Sequence, residues 1–299
     1  MVEFHNKDMT QFQWWIDWFG YFFGRELGTN KEPHRKFTDN PNDIVKFINR
    51  CHEEKRPCWI SVQPFSAYDQ PCVLEKLFFD FDYHKAGGKR KAEIIDKEVV
   101  AREVRQFVNL VAQNWNPLIV ETRKGYHVYI FLAEAIEFGP KQFDYMKRLY
   151  TELQNLILFY LPKSKFADKQ VVGDLKRLAR VPMTRHETSG EFCQIVDLDL
   201  KPTKVRDIDW YRSYGIRESL IKQAAQNIRD REEREHIKQE IQTEERERQV
   251  LEKTVENLGL GWEIRPCFRE KWKKAKCVML KDWLFWLKDG MLETKLKTN

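Results

Sequence analysis

The sequence predicts an α+β protein, a catalytic domain of mixed β-sheets flanked by helices, followed by a helical C-terminal region. Three observations lead there. Short segments rich in β-branched and aromatic residues alternate with helical apolar stripes, but without the strict β-α-β repeat of a parallel sheet. The 299 residues are 42% hydrophobic and 13% aromatic, enough for one large core or two smaller ones. Beyond about residue 205 the composition turns to long charge-rich helix.

The elements follow in order. "FQWWIDWFGYFF" (12–23) contains Asp17 and is too short to cross a bilayer, so it predicts a buried amphipathic helix and no membrane protein. "NPNDIVKFINRCHEE" (40–54) opens on a cap-like Asn-Pro-Asn and keeps helical spacing, and "CWISVQPF" (58–65) predicts a short strand. The strand around "EKLFFDFDYHK" (75–85) comes next, and "GGKR" (87–90) breaks the chain. A helix is expected near 96–115, then a hairpin in which "PLIVE" and "YHVYIFL" flank "TRKG". A helix over about 140–160 carries Phe143, Met146, Leu149, Leu153 and Leu156 on one stripe and stops at Leu161-Pro162. Three regions result: a catalytic domain over 1–205, a charged helical connector over 206–258, and a basic Trp-rich helical module over 259–299. The connector reads as a solvated helix with spaced ion pairs, or as a partner-binding coil.

Charge and cysteine usage narrow the classes. The formal charge is +6, from 52 basic and 46 acidic residues, too small by itself to mark a nucleic-acid binder. Its placement says more: 261–299 hold ten Lys or Arg against five Asp or Glu, with Trp262, Trp272, Trp283 and Trp286 among them. The six cysteines form no C-x-x-C pair, and the start of the chain does not resemble a signal peptide, so a reducing cytoplasm is expected. Cys51, His52, Cys58 and Cys72 fit no compact zinc spacing, and zinc is not expected.

Three clusters carry chemistry. In the aspartate strand, alternation puts Leu77, Phe79 and Phe81 on one face and Phe78, Asp80 and Asp82 on the other. Side-by-side carboxylates about 7 Å apart repel unless a cation or a basic side chain lies between them. A divalent metal is the simplest answer, and a strand end running into solvent is the plainer one. The second cluster, "ETRKGYHVYIF", sets Arg123, Lys124 and His127 around a glycine at a hairpin mouth, suited to anion contact or, for the histidine, to a structural role. The third, "FADKQVVGDLKRLARVPMTRHETSG" (166–190), gathers Asp168, Asp174, Lys176, Arg177, Arg180, Arg185 and His186 around Val171, Leu175, Leu178 and Val181. A metal-bound triphosphate needs one more carboxylate and a set of cations of this kind. The same stretch could instead be an exposed basic helix ending at Pro182.

In this order the clusters resemble the archaeo-eukaryotic primase superfamily, which includes the small catalytic primase subunit and the primase-polymerases of plasmids and viruses. "FFDFD" is similar to its first motif, "RKGYHVYI" to its second, and "DKQVVGDLKRLARVPMTRHETSG" to its third, with "YFFGREL" resembling an N-terminal Arg-Glu element. The resemblance covers about residues 20–200. It implies a DNA primase or DNA-directed primase-polymerase using two Mg²⁺ or Mn²⁺ ions, held by Asp80, Asp82 and Asp168 as the catalytic triad. The implied nucleotide contacts are Arg123, Lys124, His127, Arg180 and His186. Its partners would be a single-stranded DNA template, nucleoside triphosphates, and a helicase or accessory replication subunit on another chain. Two departures stand out: Glu121, Thr122, Arg123 and Lys124 replace a Ser- or Gly-rich approach to the histidine, and the zinc insertion of many relatives has no cysteine counterpart. The Trp-rich tail loosely resembles helical modules of some plasmid primase-polymerases, and ordinary helix packing explains it equally. Two other classes compete: a metal-dependent D-x-D glycosyltransferase, which leaves His127 and the third cluster unexplained, and a catalytically silent replication or nucleic-acid-binding protein.

Overall fold

The computed structural model describes residues 24–82, 97–159, 161, 164–182, 184, 186, 190–204 and 206–257. The expected first helix, the "GGKR" break and the Trp-rich module lie outside the described residues. The chain divides into two compact units, Met1–Arg229 and Asp230–Asn299.

The first unit is an α+β fold built on two four-stranded antiparallel sheets. One has the order β2-β1-β3-β9, from β1 (Arg25–Gly28), β2 (Arg35–Thr38), β3 (Trp59–Ser61) and β9 (Leu178–Arg180). The other has the order β10-β7-β8-β6, from β6 (Val73–Asp82), β7 (Leu118–Glu121), β8 (Gly125–Glu137) and β10 (Gln194–Val196). A small hairpin, β4 (Phe65–Ala67) with β5 (Gln70–Pro71), lies between them in sequence. The predicted strand over 58–65 is thus split, with only Trp59–Ser61 pairing in the larger sheet. The helix α1 (Pro41–Glu53) is capped at Asn40, whose side chain accepts from the Asn42 N–H, and carries proline in its first turn.

The period-two reading of β6 decides which core each side chain joins. Leu77, Phe79 and Phe81 enter one core with α2 (Lys97–Val111) and α3 (Phe143–Leu158). There Phe107 meets Phe79 and Phe81 at ring distances of 5.2 and 5.1 Å. Phe78 enters the other core with Tyr129, Phe131, Leu27, Ile60 and α1 residues Ile44 and Ile48. The first unit runs on through α4 (Ile208–Ser213) and the start of α5 (Glu218–Asn257), where Ile208, Tyr211, Ala224 and Ile228 are buried. In the second unit, residues 230–257 form the remainder of α5, with Ile237 and Ile241 exposed.

The edge of β6 away from β8 would expose main-chain groups, and the fold covers it piece by piece. Gln63 Nε2 donates to the Lys76 carbonyl at 2.6 Å and Gln154 Nε2 to the Phe78 carbonyl at 2.8 Å. Farther along, the Asp168 N–H donates to the Asp80 carbonyl at 2.7 Å and the Asp82 N–H to the Phe166 carbonyl at 3.1 Å. The described stretch 166–182 is therefore not a basic helix: Phe166–Asp168 lies along β6, a 3₁₀ turn follows at Lys169–Val171, and Leu178–Arg180 forms β9.

Between the two sheets lies a buried charge cluster. Arg25 on β1 reaches Glu75 on β6 at 2.9 Å, Lys76 pairs with the same carboxylate, and Arg212 of α4 lies 3.8 Å from its other oxygen. Lys76 stands over the Phe131 ring at 5.4 Å, and burial pulls its ammonium down to about 7.

Candidate functional site

The site begins where β6 ends. Asp80 is in register with His127 on β8, so the carboxylate and the imidazole stand opposite each other, His127 Nε2 3.7 Å from Asp80 Oδ1. The ring is set by its aromatic neighbours: Phe78 meets it edge-on at 5.1 Å, and the Tyr129 hydroxyl lies 3.4 Å from Nδ1. Two residues on, Asp82 is in register with Gly125. A Cβ on Gly125 would lie 1.7 Å from the Phe81 carbonyl oxygen, so only glycine lets the hairpin close against the end of β6. That hairpin turn, tied by the Thr122 N–H to the Gly125 carbonyl at 2.8 Å, carries Arg123 and Lys124 at the same end of the ladder as Asp82.

Asp168 arrives by main-chain pairing with β6. Its own carboxylate accepts from the Gln170 N–H at 2.9 Å, which starts the 3₁₀ turn. The turn is held from behind by Gln154, which accepts from the Gly173 N–H at 2.7 Å while donating to Phe78. One buried amide thus fixes both sides of the acid pair.

A residue outside the expected set completes the cluster. Arg177 places its guanidinium 3.5 Å from an Asp80 oxygen and 3.7 Å from an Asp168 oxygen, and its Nε is buried without a hydrogen-bond partner. The two carboxylates are 14% and 2% exposed, where unshared negative charge would be costly. The basic side chain lies between Asp80 and Asp168, not between Asp80 and Asp82, the pair for which the sequence asks for a cation or a basic group.

The structure groups Asp80, Asp168, His127 and Arg177, and sets Asp82, Arg123 and Lys124 at the same end of the ladder. Arg180 stands on β9 in register with Trp59, alternating with buried Ala179. His186 belongs to the following loop, where its N–H donates to Glu191 at 2.7 Å and its carbonyl accepts from the Gly190 N–H at 2.9 Å. In donor chemistry Asp80, Asp82 and Asp168 suit a hard divalent cation, being carboxylate oxygens only. Among the described residues, however, no group of three or more His, Cys, Asp or Glu side chains is gathered to hold a metal, and Arg177 supplies the positive charge in this arrangement. Among them, too, no helix is long and apolar enough to cross a membrane.

Comparisons with known proteins are sparse. No family model matches the chain, and no curated protein matches it. Among solved structures, the chain is similar to the AEP domain of the primase-polymerase of cyanophage S-2L, at 12% identity and a TM-score of 0.36, over 60% of this chain and 83% of that one.

Proposed function

We propose that the chain is a nucleotidyltransferase, a DNA primase or primase-polymerase that starts or extends strands on a single-stranded DNA template. The observation that supports this reading most is the Asp80–His127 register with Asp168 laid along the free edge of the same strand. It assembles acids, imidazole and guanidinium from three sequence clusters that lie far apart in the chain.

The acids and the bases divide the work. Mg²⁺ or Mn²⁺ held by Asp80, Asp82 and Asp168 would supply a lowered pKa for the attacking 3′-hydroxyl and charge neutralisation at the α-phosphate. Arg177 holds two of the same carboxylates through a partly exposed guanidinium, whose fork geometry suits a phosphate as well as a carboxylate. His127, beside Asp80, donates to a phosphate oxygen when protonated. Arg123 and Lys124 on the hairpin turn bring further positive charge to the open end. Arg180 and His186 serve the triphosphate from β9 and its loop.

The test is incubation with single-stranded DNA, Mn²⁺ and labelled nucleotides, with and without an annealed primer. We expect polymer from the wild-type chain and none from Asp80→Ala. His127→Ala and Arg180→Ala should each weaken triphosphate binding roughly tenfold to a hundredfold, the equivalent of about 1.5–3 kcal/mol for one charge-assisted bond. Turnover of a sugar nucleotide without polymer would point to the glycosyltransferase reading. DNA binding without any turnover would point to a silent binding protein.

A further inference from the structure

The charged helix is the one region that the acid cluster and its chemistry leave unused. Up to Ile228, α5 is anchored: Ala224 and Ile228 are buried, and Leu220, Ile221 and Ala225 pack against the same core. Past Ile228 no described side chain of the helix is buried. Ile237 and Ile241 nevertheless stand one turn apart there, 47% and 51% exposed. Ion pairs within the helix, Lys238 with Glu235 at 4.0 Å and His236 with Glu240 at 3.6 Å, stiffen it without covering the two isoleucines. A helix this polar makes no core of its own, and in water such a helix is marginal until a second surface packs on its apolar stripe.

The sequence continues the stripe. With Ile237 and Ile241 at the d and a positions of a heptad, the next d and a positions hold Glu244 and Arg248, and the next Leu251 and Val255, all within α5. From either end the order is apolar, charged, apolar, and the sign of the charge reverses with direction. A parallel pair in register would set Glu244 on Glu244 and Arg248 on Arg248 inside the seam, where like charges are costly. An antiparallel pair with Arg246 at its midpoint instead sets Ile237 against Val255, Ile241 against Leu251 and Glu244 against Arg248, each twice. At the flanks Lys238 falls opposite Glu252, also twice, which offsets the meeting of Glu245 and of Glu247 with their own counterparts.

We propose that α5 beyond Ile228 pairs with the same segment of a second copy of this chain, as an antiparallel two-stranded coiled coil with two Glu244–Arg248 layers between its apolar layers. The seam is complementary to itself only in the reversed direction, so the charge order selects both the occupant and its orientation. A two-fold axis at the midpoint makes the contact isologous, and it closes at two chains instead of growing.

Sedimentation equilibrium on the full chain tests this. We expect a mass that rises with concentration from 36.1 kDa towards twice that value. Ile237→Glu combined with Ile241→Glu should weaken the dimer by about tenfold or more. Glu244→Arg and Arg248→Glu should each weaken it severalfold, because each sets like charges in both central layers, and the double exchange should restore it. In a parallel pair like would face like before and after either single change, so single changes without effect would overturn the proposal. A wild-type chain that stays at 36.1 kDa at its highest soluble concentration also overturns it, whether the stripe is bare or covered by the chain's own tail. So does a dimer indifferent to both isoleucines, whose interface must lie elsewhere. The wild-type mass is decisive without any variant, and no step of the measurement depends on polymerase activity.

Discussion

Arg177 and a divalent cation would compete for the same oxygens of Asp80 and Asp168, and that competition is measurable. Without metal, Arg177→Met leaves a nearly buried Asp168 carboxylate with one compensating charge fewer. We expect a loss of about 1–3 kcal/mol in a chelator, partly restored by Mn²⁺, read as urea midpoints with and without the ion. An equal loss in both conditions would show that the metal does not reach these acids. Lys76 gives a second residue-scale expectation. Folding pulls its pKa from 10.5 to about 7. Between those values the unfolded chain holds a proton that the folded chain lacks, so stability rises with pH across that window; below it the full cost of burying the charge remains. Lys76→Met should flatten the rise, and an unchanged pH profile would place that titration elsewhere. At this scale the aspartate pair was legible because a strand's period of two assigns faces from sequence alone. Arg177 was visible only as one of several cations, because its approach to Asp80 depends on β9 joining β3, a pairing between segments far apart that local pattern does not encode.

Among the elements, α3 holds the site together through a side chain that a hydrophobic stripe would not single out. Gln154 is fully buried and bonds the Phe78 carbonyl and the Gly173 N–H at once. Gln154→Leu strands both groups, and we expect a loss of about 2–5 kcal/mol together with a fall in turnover, since Asp168 sits on the loosened segment. A stability loss with full turnover would show that the turn after Asp168 tolerates movement. Gly125→Val should be worse, because the clash is with main chain that cannot step aside. Helices α1, α2 and α3 were readable from caps and apolar spacing, as was the β7–β8 hairpin from its turn residues. The stretch 166–182 was not, because its shape comes from borrowed main-chain partners on β6 and from Asp168 and Asp174 bonding following N–H groups. Such segments have no period to read.

On the scale of the whole molecule, the residues of the proposed site all fall within Met1–Arg229, while the Trp-rich basic stretch lies beyond the described residues. Removing 259–299 should therefore leave extension of an annealed primer intact and weaken strand initiation and single-strand affinity, most at low salt, where counterion release contributes most. Initiation assays on the shortened chain that match the full chain would assign template capture to the first unit alone. The double attachment of the Phe166–Asp168 segment to β6 reaches further. The amide protons of Asp82 and Asp168 point in opposite directions across one shared edge, each closing on the other segment's carbonyl. Neither can meet solvent deuterium unless the two backbones part, so the pair should exchange as one, and their common rate becomes a clock for the motion that separates the acids.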